Sequence, residues 1–295
     1  MNQEATCPLC GGHAEFAFRV GDRNREITDR RFEYRRCVSC RTLFLDDVPS
    51  DLARYYPEDY YGLPSLDVLD RAADGEAPKL ALIRAHADGG RLVEIGAAFG
   101  IFARAAQRAG FEVTALEMDA RCCRYLEEVV GVDAIETDAP QAVLDDLGPA
   151  RVITLWHVLE HLPRPWDVLA AGARCLEPGG VLAIAMPNPA SLQFRVLGAR
   201  WAHVDAPRHL FLIPFEALRA RADALGLRLA EVVTSDPAGR YWNVFGWEYA
   251  IRGRPARRGS NRVTRLLAGT LALCVAPLER RGMNGTTYTA VFVKE

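Results

Sequence analysis

The chain has 295 residues, 49% of them hydrophobic and 25% charged, with a formal net charge of −2. That is enough chain to bury a core unaided, and the composition excludes a disordered or collagen-like polymer. The charge balance excludes a globally basic nucleic-acid binder but not a local basic patch, and the 36 basic residues include only two lysines, Lys79 and Lys294, an arginine bias read as genome composition.

No run reaches the ~18 uncharged apolar residues of a membrane span. Met1–Gly12 lacks the apolar stretch of a signal peptide, so the expected setting is the cytoplasm, where thiols stay reduced. The eight cysteines are then expected to be metal ligands or buried hydrophobes.

Cys7-Pro-Leu-Cys10 and Cys37-Val-Ser-Cys40 are two C-x-x-C pairs with 26 residues between them. Each such turn aims two thiolates at one point, and two turns complete a tetrahedron, so Cys7, Cys10, Cys37 and Cys40 are read as zinc ligands. Four protein ligands leave no open position, which makes the metal structural; a rubredoxin-like iron and a redox pair are the alternatives. Gly11 and Gly12 suit a tight turn after the first knuckle. Ala14–Val20 and Arg31–Arg36 alternate like the strands of a small ribbon. Cys122, Cys123, Cys175 and Cys274 lack ligand spacing and are expected to pack. Next come Tyr55, Tyr56, Tyr60 and Tyr61, which either line a polar ligand or form a packed junction. A helix is expected over Ala77–Ala87.

From Arg91 the pattern alternates. Strands are expected at Arg91–Ile95, Glu112–Leu116, Val132–Glu136, Arg151–Trp156 and Val181–Met186. Helices are expected at Phe99–Ala109, Ala120–Val130 and Trp166–Leu176, the last stopped by Glu177-Pro-Gly-Gly180. Such alternation implies a doubly wound α/β sheet with ligands at the carboxyl ends of its strands. The first strand ends in Glu94-Ile-Gly96-Ala-Ala98-Phe-Gly100. A dinucleotide fingerprint would need glycines where Ala98 and Ile101 stand, which disfavours a nicotinamide cofactor. The pattern reads acidic-x-Gly-x-x-x-Gly instead. Glu117 ends the second strand, 21 residues after Gly96, where a carboxylate can take both ribose hydroxyls. Asp138 follows the third strand and suits an adenine amino group.

In the order and spacing of these stations the chain resembles the class I methyltransferases that use S-adenosylmethionine (SAM). The likeness runs over about Arg91–Leu229, through Val93–Gly100, Ala115–Asp119, Thr137–Asp138, Trp156-His-Val-Leu-Glu-His161 and Leu176–Gly180 with Met186-Pro-Asn188. The knuckles and tyrosines resemble a subgroup with a zinc-ribbon extension that includes sugar C-methyltransferases, whose long additional C-terminal domain this chain lacks. The resemblance implies a seven-stranded Rossmann-like sheet with an antiparallel last strand, completed by Arg228–Val233 and Thr287–Val293. It also implies that Glu94, Gly96 and Gly100 hold the methionine end of SAM, Glu117 the ribose and Asp138 the adenine. Ala98, where the family usually has glycine, and Trp156 complete the expected cofactor-contacting set.

His157, Glu160 and His161 follow the fourth strand on one face of a helical turn, and His209 lies on the loop after the fifth. Three readings stand. His157 or His209 is a general base; or His157, Glu160, His161 and His209 hold a divalent metal, as similarity to the ubiquinone-type and small-RNA O-methyltransferases implies; or Glu160 and His161 only cap a helix. The domains expected are a ribbon over 1–47, a connector over 48–90 and a SAM-binding core over 91–295. The core is interrupted by 236–282, where Tyr241–Trp247 is expected to cover the substrate.

Arg252–Arg265 carries six arginines and no acid, and Leu266–Leu278 carries no charge. Peripheral contact with an anionic membrane, a phosphate grip, and a docked helix in the core or a dimer interface are all compatible with it. The expected activity is methyl transfer to a small polar acceptor, such as a sugar, nucleotide sugar or natural-product intermediate, at oxygen. An RNA methyltransferase using the ribbon, and a non-catalytic SAM-binding protein, are the rivals.

Overall fold

The computed structural model describes residues 5–57, 60–234, 237–252 and 262–295. Twelve strands and ten helices alternate among them. In chain order these are β1 (Ala5–Thr6), β2 (His13–Gly21), β3 (Arg31–Cys37), β4 (Leu43–Leu45), α1 (Leu66–Asp74), α2 (Ala77–Arg84), β5 (Gly90–Ile95), α3 (Ile101–Arg108), β6 (Phe111–Glu117), α4 (Ala120–Tyr125), β7 (Asp133–Glu136), α5 (Pro140–Asp146), β8 (Ala150–Trp156), α6 (Pro165–Cys175), β9 (Leu176–Pro187), α7 (Leu192–Leu197), β10 (Phe211–Leu212), α8 (Phe215–Asp223), β11 (Leu227–Val233), α9 (Pro237–Arg252), α10 (Arg262–Glu279) and β12 (Thr287–Lys294).

The larger sheet has seven strands in the order β11-β12-β9-β8-β5-β6-β7. β5 to β9 run parallel, and β12 lies antiparallel between β9 and β11. This is the doubly wound sheet that the alternation implies, with the reversed last strand that the family resemblance implies. Adjacent residues face opposite layers, as a pleated strand requires. Val93 and Ile95 join the core that holds Val168 and Leu169 of α6 and Leu218 of α8. Leu92 joins the opposite core, with Leu69 of α1, Ile83 of α2 and Phe102 of α3. The Glu177–Gly180 turn expected before the fifth strand is absorbed into β9, which starts directly after α6.

The smaller sheet, ordered β1-β2-β3-β4-β10, is finished by a strand from the far end of the chain. Phe211 and Leu212 pair antiparallel with Phe44 and Leu43. Buried ribbon residues such as Phe32 and Tyr34 therefore share one core with the large sheet. Trp166 Nε1 donates to Leu9 O at 3.0 Å, and Tyr34 Oη donates to His209 O at 2.5 Å. Arg208 and Asp22 form an ion pair at 2.7 Å with neither side chain exposed. No described helix is long and apolar enough to cross a membrane.

Candidate active site

The cofactor-side loop joins β5 to α3. Gly96, Ala98 and Gly100 all take left-handed backbone, with φ of 71°, 50° and 85°. A Cβ on Gly96 would lie 2.5 Å from Val158 Cγ2, and one on Gly100 would lie 2.5 Å from Leu126 Cδ2. Glycine is therefore required at both ends on two counts, space and φ. Ala98 keeps the left-handed turn at an expected cost of about 1 kcal/mol. Its N–H donates to Glu117 Oε2 at 2.8 Å, while Glu117 Oε1 accepts from Met118 and Asp119. Glu117 thus ties the loop to the end of β6, and burial raises its pKa against those backbone bonds.

Glu94 is buried at the end of β5, and its Oε2 has no hydrogen-bond partner. Burial pushes its pKa up to about 8, against the pull of Lys79. Trp156, at the end of β8, has an equally unpartnered Nε1 and carries Lys79 Nζ 4.8 Å from its ring centroid. Lys79 also pairs with Glu76 at 2.5 Å. Unmet acceptor and donor atoms in a glycine-lined crevice fit a zwitterion such as an amino-acid tail. Neither Lys79 nor Glu76 was singled out as a site residue from sequence. The available signal was compositional, since an arginine-rich chain keeps a lysine there. Asp138 lies exposed just beyond β7.

The acceptor side is a cavity of about 380 Å³ at the carboxyl end of β8. His157, Glu160, His161, His203, Asp205 and His209 line it, with Asn24 and Arg25 from the β2–β3 loop, Tyr60, and Trp242, Phe245 and Tyr249 of α9. The structure thus brings together all four catalytic candidates from the sequence. His157 is held at φ 59°, a left-handed conformation uncommon outside glycine, though less so for histidine than for most residues, and often found at functional sites. Its Nδ1 lies 3.4 Å from Glu160 Oε1. Glu160 is fully buried, and both its oxygens lack a hydrogen-bond partner. Burial opposes its ionisation, but His157, His209 and His161 around it hold its pKa at about 2.

The tautomers of two histidines follow from their neighbours. His209 Nδ1 is 2.8 Å from His203 O, and His161 Nδ1 is 3.0 Å from Arg208 O. A carbonyl only accepts, so each Nδ1 carries a hydrogen, and the neutral form of each ring has its lone pair on Nε2. Burial and His209 depress His161 to a pKa of about 4, so it is neutral at pH 7. Ligating atoms of Glu160, His161 and His209 lie within 4.8 Å of one another. A buried carboxylate beside two imidazoles fixed by carbonyls is a donor set that suits a divalent cation. His157 stands outside that trio.

Spacing alone missed Asn24, Arg25, His203, Asp205 and Arg208. His203 is buried, lies tilted against Trp201 and edge-on to Trp242, and has an unpartnered Nε2. The tyrosine cluster divides its work. Tyr55 packs on Phe32, Tyr56 Oη reaches His161 Nδ1 at 3.0 Å, and Tyr60 lines the cavity.

At the far end of the ribbon, Cys7, Cys10, Cys37 and Cys40 bring their sulfurs within 4.8 Å of one another, and all are free thiols. The two knuckles are alike in backbone. Gly11 N donates to Cys7 O and Arg41 N to Cys37 O, with left-handed φ of 73° and 62° at Gly11 and Arg41. This donor set fits a tetrahedral zinc ion. Cys122, Cys123 and Cys175 are buried, as expected, whereas Cys274 is exposed on α10. Of the six-arginine stretch, residues 253–261 lie outside the described residues.

The methyltransferase-domain family model matches residues 69–232, more than half of the chain. The chain belongs to that family. It is 30% identical over 176 residues to a ubiquinone biosynthesis O-methyltransferase of Pseudomonas aeruginosa, covering 55% of this chain and 75% of that protein. A protein of the same name from Xanthomonas oryzae pv. oryzae is 29% identical over 163 residues, covering 51% of this chain and 66% of its own length. A SAM-dependent methyltransferase structure from Archaeoglobus fulgidus shares the fold at a TM-score of 0.52 and 17% identity, over 77% of this chain and 94% of that one.

Proposed function

We propose that this member of the methyltransferase-domain family transfers the methyl group of SAM to a hydroxyl oxygen of a small polar acceptor, of the sugar, nucleotide-sugar or natural-product kind. Oxygen and a small acceptor are supported by relatives named as O-methyltransferases. The observation that carries the reading is the pairing of two sites at adjoining strand ends. A glycine loop with an unpartnered buried carboxylate closes β5, and a His–Glu pair opening into a cavity follows β8.

Glu94, Gly96, Ala98, Gly100, Glu117, Asp138 and Trp156 are the residues that would hold SAM, with Lys79 beside its charged end. Bound there, SAM supplies an electrophilic methyl, so the protein's work is to orient the acceptor and take its proton. His157 is the proposed base. Its imidazole accepts the hydroxyl proton, and Glu160, 3.4 Å from Nδ1, stabilises the imidazolium. Cys7, Cys10, Cys37 and Cys40 would hold a structural zinc. The eight free cysteines support a reducing, cytoplasmic setting.

A second reading is favoured by the unpartnered oxygens of Glu160 and the fixed tautomers of His161 and His209. These three residues would hold a divalent cation, which would lower the pKa of the acceptor hydroxyl. One set of measurements separates the readings. With His157 as base, His157→Ala lowers kcat by roughly 10²–10⁴ while calorimetric SAM affinity stays within about twofold. With a metal, a chelator abolishes turnover while metal analysis still finds the zinc of the four cysteines, and added divalent cation restores activity. Absence of SAM binding would sink both.

A further inference from the structure

The insertion between β11 and β12 is only partly used by the cavity. α9 lines it with Trp242, Phe245 and Tyr249, and α10 packs against α9. Together the two helices hold eight of the sixteen large hydrophobic side chains exposed among the described residues. At 100° per residue, Leu266, Leu267, Thr270, Leu273, Cys274, Pro277 and Leu278 fall within one arc of α10, and all are exposed. Leu266 and Leu273 are 72% and 78% exposed. The buried residues Ala268, Ala272 and Glu279 fall on the opposite side. The one hydroxyl in the arc makes little demand on water, because Thr270 Oγ1 donates to Leu266 O at 2.9 Å. An apolar face this wide on a surface helix marks a contact with something else.

The charges say what that is. Arg262 and Arg265 are exposed at the start of α10, and Arg280 and Arg281 are exposed just past its end. Its one acid, Glu279, is buried and accepts from Trp247 Nε1 at 2.9 Å. Because both ends are cationic, pairing two α10 helices sets arginine against arginine whether they run parallel or antiparallel. Anionic lipid headgroups satisfy both ends at once while acyl chains receive the leucines. Tyr241, 64% exposed on α9, is a residue type favoured at headgroup depth.

We propose that the α10 face docks on an anionic membrane surface, lying in the interface without crossing it. Because α10 packs on α9 and α9 lines the acceptor cavity, docking would keep that cavity close to the headgroups.

Sedimentation of the full chain with phosphatidylglycerol-containing vesicles, against pure phosphatidylcholine vesicles, tests this. The wild type is expected to pellet with the anionic vesicles only, and less as salt rises. Leu266→Glu with Leu273→Glu is expected to cut partition roughly tenfold or more. Arg280→Gln with Arg281→Gln is expected to cost about fivefold per arginine. Circular dichroism and SAM affinity of these surface variants should match the wild type, which separates loss of docking from loss of fold or cofactor site. Failure of the wild type to bind anionic vesicles overturns the proposal. So does a dimer in sedimentation equilibrium that the two leucine substitutions split, since the face would then be covered by a second copy.

Discussion

The two halves of the site are built differently. The cofactor side uses backbone: three left-handed residues in one five-residue turn, held by one carboxylate from the neighbouring strand. The acceptor side uses side chains from five separated segments: the ribbon hairpin, the tyrosine connector, the turn after β8, the 202–209 loop and α9. A turn between adjacent parallel strands stays in place as long as the sheet does. A cavity assembled from distant segments depends on every contact that holds them together. The two sides should therefore fail separately.

The sharpest break is at the ribbon hairpin. Asp22 fixes the β2–β3 loop by accepting from Ile27 N at 2.8 Å and pairing with buried Arg208. Asp22→Ala leaves Arg208 with Asp205 alone, and the expected cost is about 3 kcal/mol of folding stability, read by denaturant titration. Acceptor KM should rise while SAM affinity holds within about twofold. Equal damage to both would show the halves to be one cooperative unit.

Acid provides the next separation, and it acts on the acceptor side. His161 is neutral when folded, with its pKa depressed to about 4 from an ordinary 6.5. Between those values the unfolded chain binds more protons, so stability falls as pH drops from 6.5 to 4, by up to about 3 kcal/mol. Thermal melts across that window should show it, and His161→Phe should flatten the slope. On the cofactor side the predicted quantity is binding, and it also improves as pH rises. Glu94 titrates near 8, so an ionised Glu94 facing a cationic ligand group must first lose a proton. SAM affinity should then tighten by about fivefold between pH 7 and 8, with proton release visible in calorimetry across buffers. A flat profile would remove Glu94 from the charged contacts.

The smallest expected effect is at Ala98. Ala98→Gly should relieve the left-handed strain, raising stability by up to about 1 kcal/mol, with little change in kcat. A large change in kcat would mean that the strained turn has a catalytic part.

The same contrast explains what was legible in the sequence. The glycine loop and Glu117 stand at the ends of strands that hydrophobic alternation marks along the chain, while the order of those strands and the cofactor roles proposed for these residues come from the family resemblance. His157, Glu160 and His161 were found because three of the cavity's residues happen to share one turn. Asn24, Arg25 and His203 carry no spacing signal. Their place is set by pairing of β10 with β4 and by the buried Asp22–Arg208 contact, which local patterns cannot encode. The uncharged run of α10 was legible as apolar, but only burial shows which of its faces is left uncovered.

The closure of the small sheet by β10 has a consequence for biosynthesis. Asp22 bonds Arg208 across 186 residues, Asn24 bonds Ala202 across 178, and Tyr34 bonds His209 across 175. The ribbon therefore lacks its last strand until the much later segment that carries β10 has followed it out of the ribosome. During that interval its unpaired β4 edge is exposed, and non-local closure of this kind is slow. The four thiolates that would hold a metal all lie within residues 7–40, so capture of an ion there would not have to wait for that closure.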